Sequence, residues 1–497
     1  MIAALSSILV ARLLGSTAYG AMGIALVPAS IIGLFGDLGI TQAMIRFSAQ
    51  CNSQGRSEES KAFIRAGMFL QFLLGLLLSL GAFFLSSFMA DKVFQKPDLA
   101  PLIGVASFMI LFNSVVMACQ ASFTGNDRMG YYSLTMLLQS MMKITIAPVL
   151  VLLGYGALGA IAGNAASLLI TATCAVIIVY LFLIRPLNHE EKTTGLLDHL
   201  RIMLSYGYPL FVSILLSGSL SQIYNFLMAL YCSEYLVGNY LVTTKFAVLI
   251  GFFTMPISTV LFPAFSQLDR NKDKERLKFV FQSSVKYTGL VTLPVVSALI
   301  VLSQPIISFL FGIGYEPASS FLVLYSFSNV LIGLGGLSVL SLLNGQGLTR
   351  ATMVVNVVTL LSGVPLSLYL IPRYEIVGLL SCMIISAVPG LAVGVWWVRQ
   401  AFGFSIDFKS CAKTYVTAFA SALGTYLLVP MLGPGDLKAI VIGGLVYLVL
   451  YAVLLPLTKA VERADIANLK ELLGGLGPLS RIFDSLLSIA DRILSSR

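Results

Sequence analysis

The chain has 497 residues, of which 58% are hydrophobic and only 11% charged, against about 25% charged in a soluble globular domain. That composition excludes a water-covered surface, and apolar runs of 20 or more residues recur, the length that crosses a bilayer core as a helix. The formal charge of +9 comes without a basic stripe interleaved with aromatics, so nucleic acid is excluded as a partner; alternating ten-residue segments of a membrane barrel are absent too.

Met1 to Ala11 is apolar but covers about half a bilayer at 1.5 Å per residue. It has no basic start and no cleavage pattern, so it reads as the tail of a first span and not as a signal peptide. Thirteen more spans follow, at roughly 20–46, 62–90, 99–124, 130–154, 157–184, 204–230, 236–263, 284–310, 318–344, 350–372, 376–399, 411–431 and 437–458. With the amino terminus cytoplasmic, the inner loops and tail hold 24 Lys/Arg, the outer loops five, and the spans two, Lys143 and Lys245. This asymmetry is the one that orients multi-pass proteins, and both termini are then cytoplasmic, in a cell membrane.

Residues 185–203 form a polar cytoplasmic loop between lobes, and Gln267–Lys278 a basic, helical segment suited to anionic membrane lipids. After Lys459, the apolar positions from Leu479 to Leu494 recur at helical spacing, which predicts an amphipathic tail helix.

Three glycines recur at a nearly fixed offset. Gly20 pairs with Gly238 (218 residues), Gly125 with Gly345 (220) and Gly159 with Gly378 (219), and Ser167 then matches Ser386. A repeat of about 219 residues spans six helices; an even number brings both copies in from the same side, a parallel repeat. The expected architecture is therefore an all-α polytopic membrane protein with about 14 transmembrane helices, the first truncated. It has a six-span lobe over 1–184, a second over 204–400, two additional spans over 411–458 and a tail over 459–497.

Enzyme motifs fail on context. Gly154-Tyr-Gly-Ala-Leu-Gly159 spells the dinucleotide fingerprint but joins two apolar spans and not a strand to a helix. No phosphate loop and no H-E-x-x-H occurs, and His189 and His199 share one loop without a ligand set, so neither cofactor nor metal is expected. Cys51, Cys119, Cys174, Cys232, Cys382 and Cys411 form no C-x-x-C pair and read as small apolar residues.

What remains is polar chemistry at membrane depth, which is costly to keep and marks function by default. Asp37 is the one acid within a span; Lys143 lies near the midplane of the fifth and Lys245 inside the eighth. Two cations against one acid favour an anionic ligand in a central cavity. The plainer alternative pairs Lys143 with Asp37, or has Asp37 cap a helix break near Gly36 and Gly39, and lets Lys245 snorkel outward. Gln139, Asn164 and Asn225 join these three as cavity candidates, with Gln42, Gln71, Asn113, Gln120 and Gln222 among the other polar groups at depth. Most such groups bond between helices.

The opening A-R-L-L-G-x-x-x-Y-G from Ala11, followed by G-D-L-G-I-x-x-A-x-I-R, and L-V-G-N-Y-L-V-T-T-K-F from Leu236, resemble the polysaccharide-type exporters of the multidrug/oligosaccharidyl-lipid/polysaccharide (MATE-like) superfamily. The resemblance runs over essentially the whole chain. It implies a flippase that moves a polyprenyl-(pyro)phosphate-linked sugar or oligosaccharide from inner to outer leaflet by alternating access, with glycosyltransferases or a polymerase of the same pathway as partners. Many relatives carry an Asp-Arg pair in the seventh span; the matching positions here are Asn225 and Phe226, a departure that sets this chain apart from relatives that would couple ions through that pair. The other readings are a MATE-type exporter of drug cations, which would favour carboxylates in the cavity, and a non-transporting scaffold for glycosyltransferases.

Overall fold

The computed structural model describes residues 2–185, 195–270, 272–429, 435–461 and 465, with the side chains of 2–4, 196 and 217 left aside. His189, the middle of the 185–203 loop and the tail helix expected at 479–494 lie outside the described residues. Among those described, every regular element is helical. The protein is an all-α, multi-pass membrane protein.

The helices are α1 (Ile2–Gly33), α2 (Ile40–Ser53), α3 (Ser57–Phe84), the single turn α4 (Ser86–Phe88), α5 (Ala100–Gly125), α6 (Met129–Leu150), α7 (Gly156–Val179) and α8 (Leu196–Tyr231). Then come α9 (Glu234–Thr244), α10 (Ala247–Ser266), α11 (Lys274–Val301), α12 (Ser303–Phe311), α13 (Glu316–Ser328) and α14 (Gly336–Gly345). Last are α15 (Thr349–Phe402), α16 (Phe408–Leu428) and α17 (Asp436–Leu457).

Ten helical stretches among the described residues are long and apolar enough to cross a membrane. Three of them contain a backbone reversal where the sequence places a turn between spans: Gly15 (φ 75°) in the first, Gly154 and Gly156 (φ 92° and 54°) before α7, and Glu375 (φ 49°) within α15. Divided there, and joined by the 21-residue α16, they reproduce the expected ladder. The basic segment after Gln267 departs from the helix expected of it. Asp269 Oδ1 accepts the Lys272 N–H at 3.0 Å and Asp273 Oδ2 the Asp269 N–H at 3.1 Å, closing a turn that delays α11 to Lys274. Short acidic side chains compete for backbone donors in this way.

The chain divides into two compact units, 1–241 and 242–497. In the first, α3, α5 and α7 pack in series, around Ile64, Cys119, Phe123, Ala175 and Val179. His199 is buried edge-on against Phe63, ring centroids 4.6 Å apart, with Nδ1 3.1 Å from the Gly195 carbonyl. It is packed as a core group. In the second unit, α16 and α17 pack on α11. The tyrosines that line this contact find carbonyl or hydroxyl partners: Tyr451 donates to Leu290 O at 3.1 Å, Tyr447 pairs with Ser297 at 2.5 Å, and Tyr415 donates to Val330 O at 2.5 Å. Just past α17, Asp465 receives Lys286 Nζ at 2.6 Å and the Tyr287 hydroxyl at 2.9 Å, fastening the chain beyond the last span to α11.

The glycine repeat has a packing cause. Gly125 ends α5 against Ile45 and Ser48, where an added Cβ would meet Ser48 Cβ at 2.9 Å; Gly345 ends α14 against Phe262 and Phe265, where it would meet Phe265 Cβ at 2.8 Å. Gly159 packs on the Leu150 backbone, and Gly378 on Leu370. The first pair goes further. Within the first unit α1 crosses α9 so closely that a Cβ on Gly20 would overlap the Glu234 carbonyl, and one on Gly238 would overlap the Ser16 carbonyl. Ser16-x-x-x-Gly20 and Glu234-x-x-x-Gly238 are thus the two sides of one small-residue helix crossing.

Candidate functional site: a polar chamber beside a broken helix

The site begins with a local failure of helix. After Gly33 the chain makes one 3-10 turn to Gly36; Leu38 and Gly39 then take left-handed conformations (φ 46° and 76°) before α2 starts at Ile40. Glycine makes this reversal cheap at position 39, while a leucine there is held by its surroundings at some cost in strain. Gly39 also lies backbone to backbone against Gly207 of α8, where a Cβ on either would clash.

The break strips amides at the start of α2 of their partners, and Asp37 supplies one. Its Oδ1 accepts the Thr41 N–H at 2.9 Å, the Thr41 hydroxyl at 2.6 Å and Gln71 Nε2 from α3 at 2.6 Å. The carboxylate therefore pins the break to α3, the capping role the G-D-L-G spacing suggests. Among the described residues no ion pair joins it to Lys143.

Asp37 also lines a chamber of about 630 Å³ within the first unit. Ser30, Thr41, Gln42, Asn113, Ser114 and Gln139 supply the rest of its hydrogen-bonding groups, and Met109, Met117, Leu168 and Ile214 its apolar wall. Ser30 bonds across to Gln222 of α8 at 3.1 Å. The chamber thus offers several neutral donors and acceptors with one carboxylate already engaged by three donors, a lining matched to hydroxyl-rich ligands more than to a cation.

Of the six candidates, the structure brings Asp37 and Gln139 together in this chamber. Lys143 lies four residues beyond Gln139 on α6, hence on the same face; it is half-buried and its carbonyl accepts the Ser6 hydroxyl at 3.1 Å. Asn164 on α7 is buried with no partner for Oδ1 among the described residues, and it is outside the chamber lining. Asn225 is half-buried on α8. Lys245 belongs to the second unit, where it sits half-buried in the two-residue break between α9 and α10, its N–H bonded to Val242 O at 3.2 Å.

Sequence reasoning missed Ser30, Thr41 and Ser114. Serine and threonine in apolar helices routinely bond back to their own carbonyls, as Ser30 does to Val27 and Ser114 to Ile110, so their presence carries no signal of a site. Lys96, in the loop before α5, donates to the Cys232 carbonyl at the end of α8 at 3.1 Å. Burial lowers its ammonium below the usual range, partly offset by nearby Glu234.

Three solved structures share the fold. A lipid II flippase, MurJ, in an inward closed conformation superposes with a TM-score of 0.73 at 18% identity, covering 91% of this chain and 96% of its own. An inward-facing multidrug resistance MATE family transporter of the MOP superfamily gives 0.64 at 19%, covering 81% and 94%. A MOP superfamily transporter from Pyrococcus furiosus gives 0.51 at 18%, covering 80% and 91%. No curated protein sequence matches the chain. The family model described as polysaccharide biosynthesis protein matches residues 9–320, a stretch that holds the broken helix, the chamber and both halves of the glycine crossing, and the chain belongs to that family.

Proposed function

We propose that this protein is a flippase for a polyprenyl-(pyro)phosphate-linked sugar or oligosaccharide, carrying it from the inner to the outer leaflet of the cell membrane during polysaccharide or glycoconjugate assembly. The observation that carries the reading is the chamber: neutral hydrogen-bonding side chains over an apolar floor at membrane depth, with Lys143 one turn from Gln139. Such groups suit sugar hydroxyls, and a cation near them suits a phosphate. Family membership agrees with the pathway, and the fold is the one a lipid II flippase uses. Two six-span lobes rocking about a fixed site would give alternating access, with both termini on the cytoplasmic face, and transferases or a polymerase of the same pathway would supply and remove the substrate.

The test is deletion of the gene followed by leaflet-resolved analysis of lipid-linked sugars. Accumulation on the inner face is expected; an unchanged distribution would overturn the reading. Full transport by both Lys143→Ala and Lys245→Ala would remove the cationic part of the mechanism while leaving the chamber.

A further inference from the structure

A second concavity, of about 680 Å³, follows α8 beside the helix break. Leu38, Leu197, Leu200, Leu204 and Tyr208 form its apolar lining, and Arg201 is the one charged group in it. The α8 residues recur at three- and four-residue intervals, one continuous helix face. Leu197 and Tyr208 are 79% and 64% exposed, so this face is unclosed by the described residues. Asp198, the nearest acid along α8, makes no ion pair with Arg201 among the described residues.

The groove runs from the stretch read as a cytoplasmic loop into the span that begins near 204, so its Leu204–Tyr208 end meets hydrocarbon and its Arg201 end the headgroup region. The guanidinium specifies the other end of the occupant, because its planar fork matches phosphate oxygens. We propose that this groove holds an anionic phospholipid, its acyl chain along Leu204, Tyr208 and Leu38 and its phosphate on Arg201. The lipid is a resident of the fold and not the transported substrate: none of the residues lining the groove also lines the chamber. Charge complementarity singles out an anionic headgroup, since a neutral zwitterion gains little from a groove whose single charged group, Arg201, is positive.

The groove can be read directly. In the full chain with Trp396→Phe and Trp397→Phe, Tyr208→Trp places the sole indole in the groove. The protein is reconstituted in phosphatidylcholine vesicles carrying equal fractions of brominated phosphatidylglycerol or brominated phosphatidylcholine. Brominated phosphatidylglycerol is expected to quench with about fivefold preference, the contribution of one basic side chain near an anionic surface. Arg201→Gln should erase the preference while leaving quenching by brominated phosphatidylcholine intact, and Arg201→Lys should keep most of it. Raising the salt should erode the preference in the chain that keeps Arg201, a result independent of how well the variants fold. Equal quenching by the two lipids at low salt overturns the proposal. So does quenching by neither, which would mean that a protein segment, such as the tail, covers the groove.

Discussion

The two copies of the repeat agree in how their helices touch and differ in where their helices break. Gly125 on Ile45 and Ser48, and Gly345 on Phe262 and Phe265, are the same contact made twice. Yet the second span of the first copy breaks at 34–39 around a carboxylate, whereas its counterpart breaks at Lys245–Phe246, some ten residues earlier in register, about 15 Å along a helix. At the position matching Asp37 the second copy has Thr254 and Met255, the latter 72% exposed. Backbone approach is fixed by the geometry of packing, so the same small residue serves at both contacts. Breaks and charges cost stability and are kept where they serve a site. Each break carries a charge of its own, Asp37 in the first and Lys245 in the second, and of the two it is Asp37 that lines the chamber.

Substitutions can break this comparison, beginning with the contact that unites the copies. Gly20→Val or Gly238→Val drives a side chain into a carbonyl across the crossing, and a loss of about 3 kcal/mol or more is expected; Gly81→Val, with open space around it, is the control. Equal melting of the purified proteins would show that the crossing is not closed in the folded molecule. Next is the second unit's own charged cluster. Lys286→Met leaves Asp465 facing only Tyr287 among the contacts given above and should cost about 2 kcal/mol, below the value for a fully buried pair because Lys286 keeps some exposure. Thermal melting against Lys286→Arg would read it.

Asp37→Ala comes third. It strands the Thr41 amide and Gln71 Nε2, at about 1–3 kcal/mol, while Asp37→Asn, which keeps an acceptor oxygen, should lose less than half of that. Met255→Ala at the matching position should stay within about 0.5 kcal/mol; equal losses at the two sites would erase the asymmetry. The smallest effect on stability belongs to the chamber wall. Gln139→Leu and Asn113→Leu should leave melting unchanged and slow translocation by about tenfold, the loss of one or two hydrogen bonds to the ligand. Normal flipping by both would move the substrate elsewhere.

The span ladder was legible in the sequence because hydrocarbon imposes a length and the loops carry the charge. The glycines chosen as repeat anchors were legible as close contacts, because a glycine at such a contact leaves no substitute. The helix break was half legible: G-D-L-G announces it, but neither the Gln71 partner 34 residues on nor Gly207 on α8 can be read from spacing. That Gly20 and Gly238 touch each other, and do not merely correspond, was invisible, since a repeat anchor and a crossing point leave the same residue. Asn164, chosen for its amide, stands outside the chamber lining, because residue type at depth does not tell which way a helix is turned.

The segment from Gly36 to Gly39 has one more consequence. Asp37 lines the chamber and Leu38, its neighbour, lines the apolar groove, so two successive residues serve two separate cavities. Inserting or deleting one residue between Gly36 and Gly39 would displace Asp37 from Thr41 and Gln71 and Leu38 from the groove at one stroke, with the composition of the segment hardly altered. Length here is as strict a constraint as residue type, and variation in this stretch should take the form of substitutions and not of insertions or deletions.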